Sequence, residues 1–236
     1  MTDSPFAPKL DALVARGLER RTRALAGPPG PRVETPDGPV LLFCSNDYLG
    51  LAAHPRVVTA LQRGAARWGA GSGSSRLVAG HTTAHQRLER ALADYLGTED
   101  AVLFPSGYQA NAGAIPALAG EGDTVFSDEL VHASVIDGCR LSRARVRVYR
   151  HRDAAHLAKL LATEPTGGLR LVVTDAVFSM DGDAAPLVEI AAAAAAHGAA
   201  IYLDEAHALG VLGPGGRGLA AELGVADRVA VRVGTL

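Results

Sequence analysis

The chain has 236 residues, 48% of them hydrophobic and 20% charged, enough apolar material to bury a core in one large or two small domains, which excludes extended disorder. Its 23 basic and 25 acidic residues leave a formal charge of −2, so no global charge grips nucleic acid or an anionic membrane, and a small-molecule role is the default. Two cysteines, Cys44 and Cys139, are too few for a disulfide framework or a cysteine-based zinc site and read as buried small hydrophobes of a cytoplasmic chain.

Residues 9–25 carry leucines at 10, 13, 18 and 25 among charges, which predicts an amphipathic helix ending before the breaker cluster at 27–31. These charges also leave no apolar core for a secretion signal, and no later stretch approaches the roughly 18 apolar residues of a membrane span. An extended pair follows at 32–35 and 40–43, with a turn at Pro36-Asp37-Gly38-Pro39. His54-Pro55 opens a helix through Trp68, and a glycine- and serine-rich loop fills 69–76. Thr82 or Thr83 caps a helix whose apolar positions Leu88, Ala91, Leu92, Tyr95 and Leu96 keep helical spacing up to Gly97.

From residue 100 onward, apolar runs at 101–104, 124–126, 146–149, 171–174, 200–203 and 228–233 recur between helical segments, which predicts an α/β fold with a largely parallel sheet. The alanine-rich stretch 190–196 reads as a helix covering that sheet, since alanine has the best helix propensity. Ligands of such sheets bind at the carboxyl ends of the strands, so the residues after each run carry the chemistry.

After the run at 101–104, Pro105-Ser106-Gly107-Tyr108 makes a tight turn into a helix; its free N–H groups suit a phosphate, and the same segment also reads as an ordinary turn. His132 follows the run at 124–126, either as a functional imidazole or as a satisfied structural one. Ser179 and Asp181 follow the run at 171–174, where they could cap the next helix. Asp204-Glu205-Ala206-His207 follows the run at 200–203; successive carboxylates on a strand point to opposite faces, which disfavours a metal cage. A helix-end phosphate site, an imidazole to stack, a strand-end aspartate and a second histidine together suit a pyridinium phosphate cofactor, whose ring nitrogen an aspartate keeps protonated.

In order, the chain carries SNDYLGL at 45–51, GSGSSRLVAG at 71–80, SGYQAN at 106–111, VFSMDG at 177–182 and DEAH at 204–207. This set resembles the α-oxoamine synthase family of fold-type I pyridoxal-phosphate enzymes over essentially the whole chain. The resemblance implies an α/β fold-type I transferase large domain at 46–236, incomplete at its C-terminus and without the family's small domain, preceded by an arm at 1–45. It implies pyridoxal 5'-phosphate as cofactor, with Gly107, Tyr108 and Thr235 on the phosphate side and His132 stacked on the ring. Asp204 would pair with the ring nitrogen, and Ser179 and His207 would sit near the phenolic oxygen. Spacing back from residues 45–47 favours Arg20 as the arginine toward the acyl substrate, with Arg21 as the alternative.

The implied reaction is the decarboxylative condensation of L-alanine with a pimeloyl thioester, carried by coenzyme A or an acyl carrier protein, in biotin synthesis. His132 would orient the alanine carboxylate and assist proton transfer. The loop at 74–76 would lie near a homodimer interface. Two departures stand out: Ala208 replaces the small Gly or Ser usual after the DEAH histidine, and the family's Schiff-base lysine lies three positions beyond Thr235, past Leu236. The only lysines, Lys9 and Lys159, are expected on the first helix and on an exposed covering helix. Three readings stay open: the N-terminal portion of such a synthase, a lysine-less non-catalytic partner subunit, and a relative using glycine with another acyl donor. The full set His132, Ser179, Asp204 and His207 weighs against the second.

Overall fold

Runs that are apolar at every position must be covered on both faces, and the structure, a computed structural model describing residues 4–165 and 167–236, stacks them as a parallel sheet. Contacts divide the chain into two units, Met1–Arg63 and Gly64–Leu236; the expected arm at 1–45 falls within the first.

The first unit holds helix α1 (Ala7–Ala15) and an antiparallel pair, β1 (Arg32–Thr35) and β2 (Gly38–Leu41), in which Thr35 faces Gly38. Helix α1 is shorter than the predicted 9–25. It buries no residue, and Leu10, Leu13, Leu18 and Leu25 all remain exposed, so no packing extends the helix beyond its own local propensity. Cys44, expected to be buried, is exposed in the turn-rich stretch after β2, whereas Cys139 is buried as expected. Helix α2 (Pro55–Trp68) matches its predicted span.

In the second unit a π-helical turn (Arg76–Gly80) precedes α3 (Thr83–Leu96). Thr82 is the N-cap of α3, His85 Nδ1 accepts the Thr82 N–H at 3.2 Å, and Gly97 closes the helix. Then come α4 (Gly107–Leu118), β3 (Thr124–Asp128), α5 (Ala133–Ser142), β4 (Arg145–Tyr149), α6 (Ala154–Thr163), β5 (Arg170–Asp175), α7 (Leu187–Ala196), β6 (Ala200–Asp204), the short α8 (Leu219–Glu222) and β7 (Val231–Val233). The sheet order is β4-β3-β5-β6-β7, with every pairing parallel. No helix among the described residues is long and apolar enough to cross a membrane.

Alternate strand residues feed two cores. Phe126, Val172, Ile201 and Leu203 pack with Leu157 and Leu161 of α6 and Leu187, Ile190, Ala191 and Ala194 of α7 on one face. Val125, Leu171, Val173 and Tyr202 pack with Ile115 of α4 and Val135 and Cys139 of α5 on the other. The alanine-rich helix α7 therefore covers the sheet as its composition predicts.

The run at 101–104 is not a strand. Its backbone bonds to side chains: Arg76 Nη1 donates to Leu103 O at 3.1 Å, and Leu103 N donates to Glu89 Oε1 at 3.0 Å. Glu89, itself buried on α3, also pairs with Arg76 Nη2 and lies 3.5 Å from His81 Nε2. Burial pushes the Glu89 carboxyl up, but the bonds from Arg76 and the Leu103 amide outweigh it and hold it below its usual range. One carboxylate thus ties three segments that share no backbone ladder. Glu89→Ala is expected to cost about 2–4 kcal/mol by orphaning the Leu103 N–H and Arg76, read as a lower urea midpoint with unchanged slope.

Candidate functional site

Three strands of the sheet end in aspartate at the same edge: Asp128 on β3, Asp175 on β5 and Asp204 on β6, all buried. Parallel register makes Asp175 and Asp204 direct neighbours, and Val233 of β7 flanks Asp204 on its other side.

Asp204 is held by dipoles. Its Oδ1 accepts the Ala206 amide at 2.9 Å and its Oδ2 accepts Asn111 Nδ2 at 2.6 Å. Asn111, on α4, also donates to Ser134 Oγ at 2.9 Å and accepts the Tyr202 hydroxyl at 2.8 Å, so its amide is fixed on three sides. Ser134 continues the chain to His132, with Oγ 2.7 Å from Nδ1, and its amide donates to the same nitrogen at 3.2 Å. The exposed His132 is the N-cap of α5, and Nδ1 is the ring nitrogen engaged in these bonds. Two candidate residues distant in sequence, His132 and Asp204, are therefore joined through Ser134 and Asn111. Gly138 on α5 lets the helices meet: a Cβ there would lie 2.6 Å from Asn111 O.

Asp175 accepts the His132 amide at 3.1 Å and has no arginine or lysine partner among the described residues. Burial, then the charge of Asp204, with a smaller contribution from Asp128, pushes its carboxyl up to about 8. Glu205 points away from this cluster, accepting Arg232 Nε at 2.8 Å and the Ala220 amide at 3.0 Å, so the adjacent carboxylates diverge as the alternation of a strand requires.

At the start of α4 the Ser106 hydroxyl accepts the Gln109 amide at 3.2 Å. Thr235, after β7, lies against this turn: a Cβ on Gly107 would sit 2.8 Å from Thr235 Cγ2, so a larger residue at 107 would have to displace the threonine side chain. Tyr108 is exposed and donates to Asp137 Oδ2 at 2.6 Å, a bond that raises its phenol above the ordinary range. His207 is half-buried in the turn after β6. Ser179 is exposed on the loop 177–184, closed by a Val177–Ala184 bridge and by the Phe178 amide donating to Asp183 O at 2.9 Å. Neither Ser179 nor Asp181 caps α7, which starts at Leu187 behind Pro186. Arg20 lies in the first unit, exposed in irregular chain beyond α1; its alternative, Arg21, pairs with Glu19 at 3.0 Å. Lys9 is exposed on α1, and Lys159 is exposed on α6, across the sheet from α4 and α5.

Asn111, Ser134, Asp128 and Asp175 received no role from the sequence. One signal was available for the aspartates, since an Asp follows each of the three apolar runs that became β3, β5 and β6, directly at 175 and 204 and after Ser127 at 128.

Residues 38–236 match the family of class I and II aminotransferases. The chain belongs to that family, and its sheet and covering helices have the fold-type I transferase architecture expected from the sequence. It is 60% identical over 228 residues to the 8-amino-7-oxononanoate synthase of Anaeromyxobacter sp. (strain Fw109-5), covering 97% of this chain and 57% of that protein. Among solved structures it superposes on the serine palmitoyltransferase of Sphingomonas wittichii with a TM-score of 0.90 at 37% identity, covering 98% of this chain and 59% of the other. A serine palmitoyltransferase from S. paucimobilis, solved with a bound adduct of PLP and myriocin, gives a TM-score of 0.89 at 34% identity, covering 98% and 58%. The chain thus spans under two thirds of the length of these relatives.

The Asp175 proton has a measurable consequence. Because the native carboxyl holds it up to about pH 8 while an unfolded aspartate releases it near 3.8, native stability falls as pH rises through that window. Asp175→Asn keeps an acceptor for the His132 amide and removes the titration. Its melting temperature should exceed that of the parent by roughly a few degrees at pH 8 and converge with it at pH 4, as followed by thermal denaturation.

Proposed function

We propose that the whole protein is an 8-amino-7-oxononanoate synthase, a pyridoxal-phosphate-dependent acyltransferase of biotin synthesis. On this reading it condenses L-alanine with a pimeloyl thioester, carried by coenzyme A or an acyl carrier protein, and releases carbon dioxide. The observation that carries the reading is the buried pair Asp175 and Asp204, in register at adjacent strand ends with no arginine or lysine against them among the described residues. Such a pair favours a cationic ligand, and a protonated pyridine nitrogen fits it, because the cation would lie at one edge of a flat ring and pairing there would leave the ring faces to other groups. The 60% identity to a protein named for this activity supports the substrate class.

Pyridoxal phosphate, when bound, supplies an electron sink for the bonding electrons released at the amino acid α-carbon. The chain's own residues would do the rest. Asp204, oriented by Asn111 and the Ala206 amide, holds the proton on the ring nitrogen. Gly107, Tyr108 and Thr235 receive the phosphate side at the N-terminus of α4, where free amides and the helix dipole favour an anion. His132 lies over the ring, its backbone pinned by Asp175 and its Nδ1 by Ser134, which leaves Nε2 to orient the alanine carboxylate and move a proton at the α-carbon. Ser179 and His207 flank the phenolic oxygen, and Arg20, or Arg21, meets the acyl substrate. The covalent anchor is assigned to neither Lys9 nor Lys159. The protein acts in the cytoplasm as a homodimer; Leu77 and Val78, 98% and 81% exposed on the π-helical turn beside the loop at 74–76, support that interface.

A second reading, an α-oxoamine synthase with another amino acid and acyl donor, is supported by the likeness to serine palmitoyltransferases, at the lower identity of 34–37%. Product analysis with alanine, glycine or serine against pimeloyl, acetyl, succinyl and palmitoyl thioesters separates the two. The proposed synthase releases carbon dioxide only with alanine and the pimeloyl donor. Asp204→Asn should lower kcat/KM by roughly 100-fold or more. The melting temperature of its cofactor-free form should fall by no more than about a few degrees, because losing the charge facing Asp175 offsets the one buried N–H donor that the single acceptor of Asn leaves unpaired. A variant that keeps full activity would refute the assigned role of Asp204.

A further inference from the structure

We propose that His151 is a positioning residue for this reaction: its two ring nitrogens clamp the loop 177–184, and with it Ser179, to the carboxyl end of β3. The inference rests on the reading that Ser179 contacts the cofactor.

His151 lies in the β4–α6 turn and bridges two carboxylates. Nδ1 is 2.9 Å from Asp128 Oδ1, at the buried end of β3, and Nε2 is 3.2 Å from Asp183 Oδ2, at the far end of the loop. The ring also stands edge-on to Phe178, the residue before Ser179, with centroids 4.4 Å apart at 88°. The loop is thus held at both ends by one side chain: through Phe178 at its entrance and Asp183 at its exit. Neighbouring groups tighten the same point. Arg152 donates its amide to Asp128 Oδ2 at 2.9 Å and its Nη1 to Asp183 Oδ2 at 2.9 Å. To do so Arg152 adopts φ +55°, a left-handed conformation that a side-chain-bearing residue keeps only when surrounding contacts impose it. Glu129 Oε2 lies 3.4 Å from the His151 amide.

Burial disfavours a charged ring here, yet the hydrogen bonds and charges of Asp128 and Asp183 outweigh it and raise the His151 pKa. A doubly donating imidazolium explains why two carboxylates converge on one ring. Asp128 also accepts the Leu130 amide at 2.9 Å, which sets the chain leading to His132. One clamp therefore orders the segments that carry both Ser179 and His132.

The test is a double-mutant cycle in the whole protein, with His151→Phe, which keeps an aromatic ring against Phe178, Ser179→Ala, and the pair combined. Two quantities are read: the Kd for pyridoxal phosphate by absorbance titration, and hydrogen exchange at the Phe178 and Gly182 amides of the cofactor-free protein. His151→Phe should speed exchange at both amides by about tenfold and weaken cofactor binding to the same degree as Ser179→Ala, with the double variant no weaker than either single one. Unchanged loop exchange, or losses in affinity that multiply independently, would overturn the proposal. If Ser179→Ala alone leaves the Kd unchanged, the role given to Ser179 fails and the proposal falls with it, an outcome distinct from independent losses. Should His151→Phe not fold, Asp183→Ala, which removes the loop's side-chain acceptor for the ring N–H, must still speed exchange in the loop, and an unchanged rate refutes the clamp.

Discussion

Electrostatic repulsion between strand-end carboxylates is the constraint around which the site is organised. Parallel pairing of β3, β5 and β6 brings Asp128, Asp175 and Asp204 to one buried edge, and a low-dielectric edge cannot hold three bare negative charges. Each carboxylate meets a different solution. Asp128 has the His151 ring and the backbone amides of Leu130 and Arg152 against it; Asp204 has oriented dipoles from Asn111 and a backbone amide; Asp175 has one amide and keeps its own proton. Compensation is therefore weaker at the ends of β5 and β6 than at the end of β3, and on the proposed reading a cationic ring nitrogen is received on that weaker side, at Asp204.

The helices follow from the same constraint. Asn111 reaches Asp204 only because α4 and α5 pack closely at Gly138, and Ser134 then passes the contact to His132. Polar network and helix packing are one arrangement: a bulkier residue at 138 would displace the amide that keeps Asp204 oriented. The sheet tolerates this polar edge because its interior is satisfied. The two apolar cores fill both faces of the strands, so the strain is confined to the last residue of each.

The strands of the sheet were readable because a buried parallel strand needs apolar residues on both faces, which leaves dense local runs such as those of β3, β5 and β6. The run at 101–104 has the same composition and a different fate, since side chains 14 and 27 positions away satisfy the Leu103 backbone. Local pattern carries no record of such partners. The first helix was overextended for the complementary reason: its leucines have helical spacing, but spacing fixes only which face could be buried, and none of its residues is. Cys44 failed in the same way, because burial frequency is a property of a residue type and this position lies on an exposed turn.

For the candidate site, positions were legible and partnerships were not. A residue that follows an apolar run sits at a strand end whatever its neighbours are, which is why Asp204, His132 and Gly107 could be singled out from sequence. That Asp175 faces Asp204, or that His151 spans Asp128 and Asp183, depends on sheet register and on a turn that joins β4 to α6, neither of which local pattern specifies. The groups so missed share a physical character: they hold other groups in place. His151, Asn111 and Asp175 all bond to the residues or segments that carry the proposed chemistry, and all are buried or half-buried beneath them. A supporting carboxylate or imidazole has no motif of its own, since its requirement is a distance to a partner in space. The shared edge supplies that distance, so the repulsion that destabilises the strand ends also recruits the groups that fix His132 and Ser179.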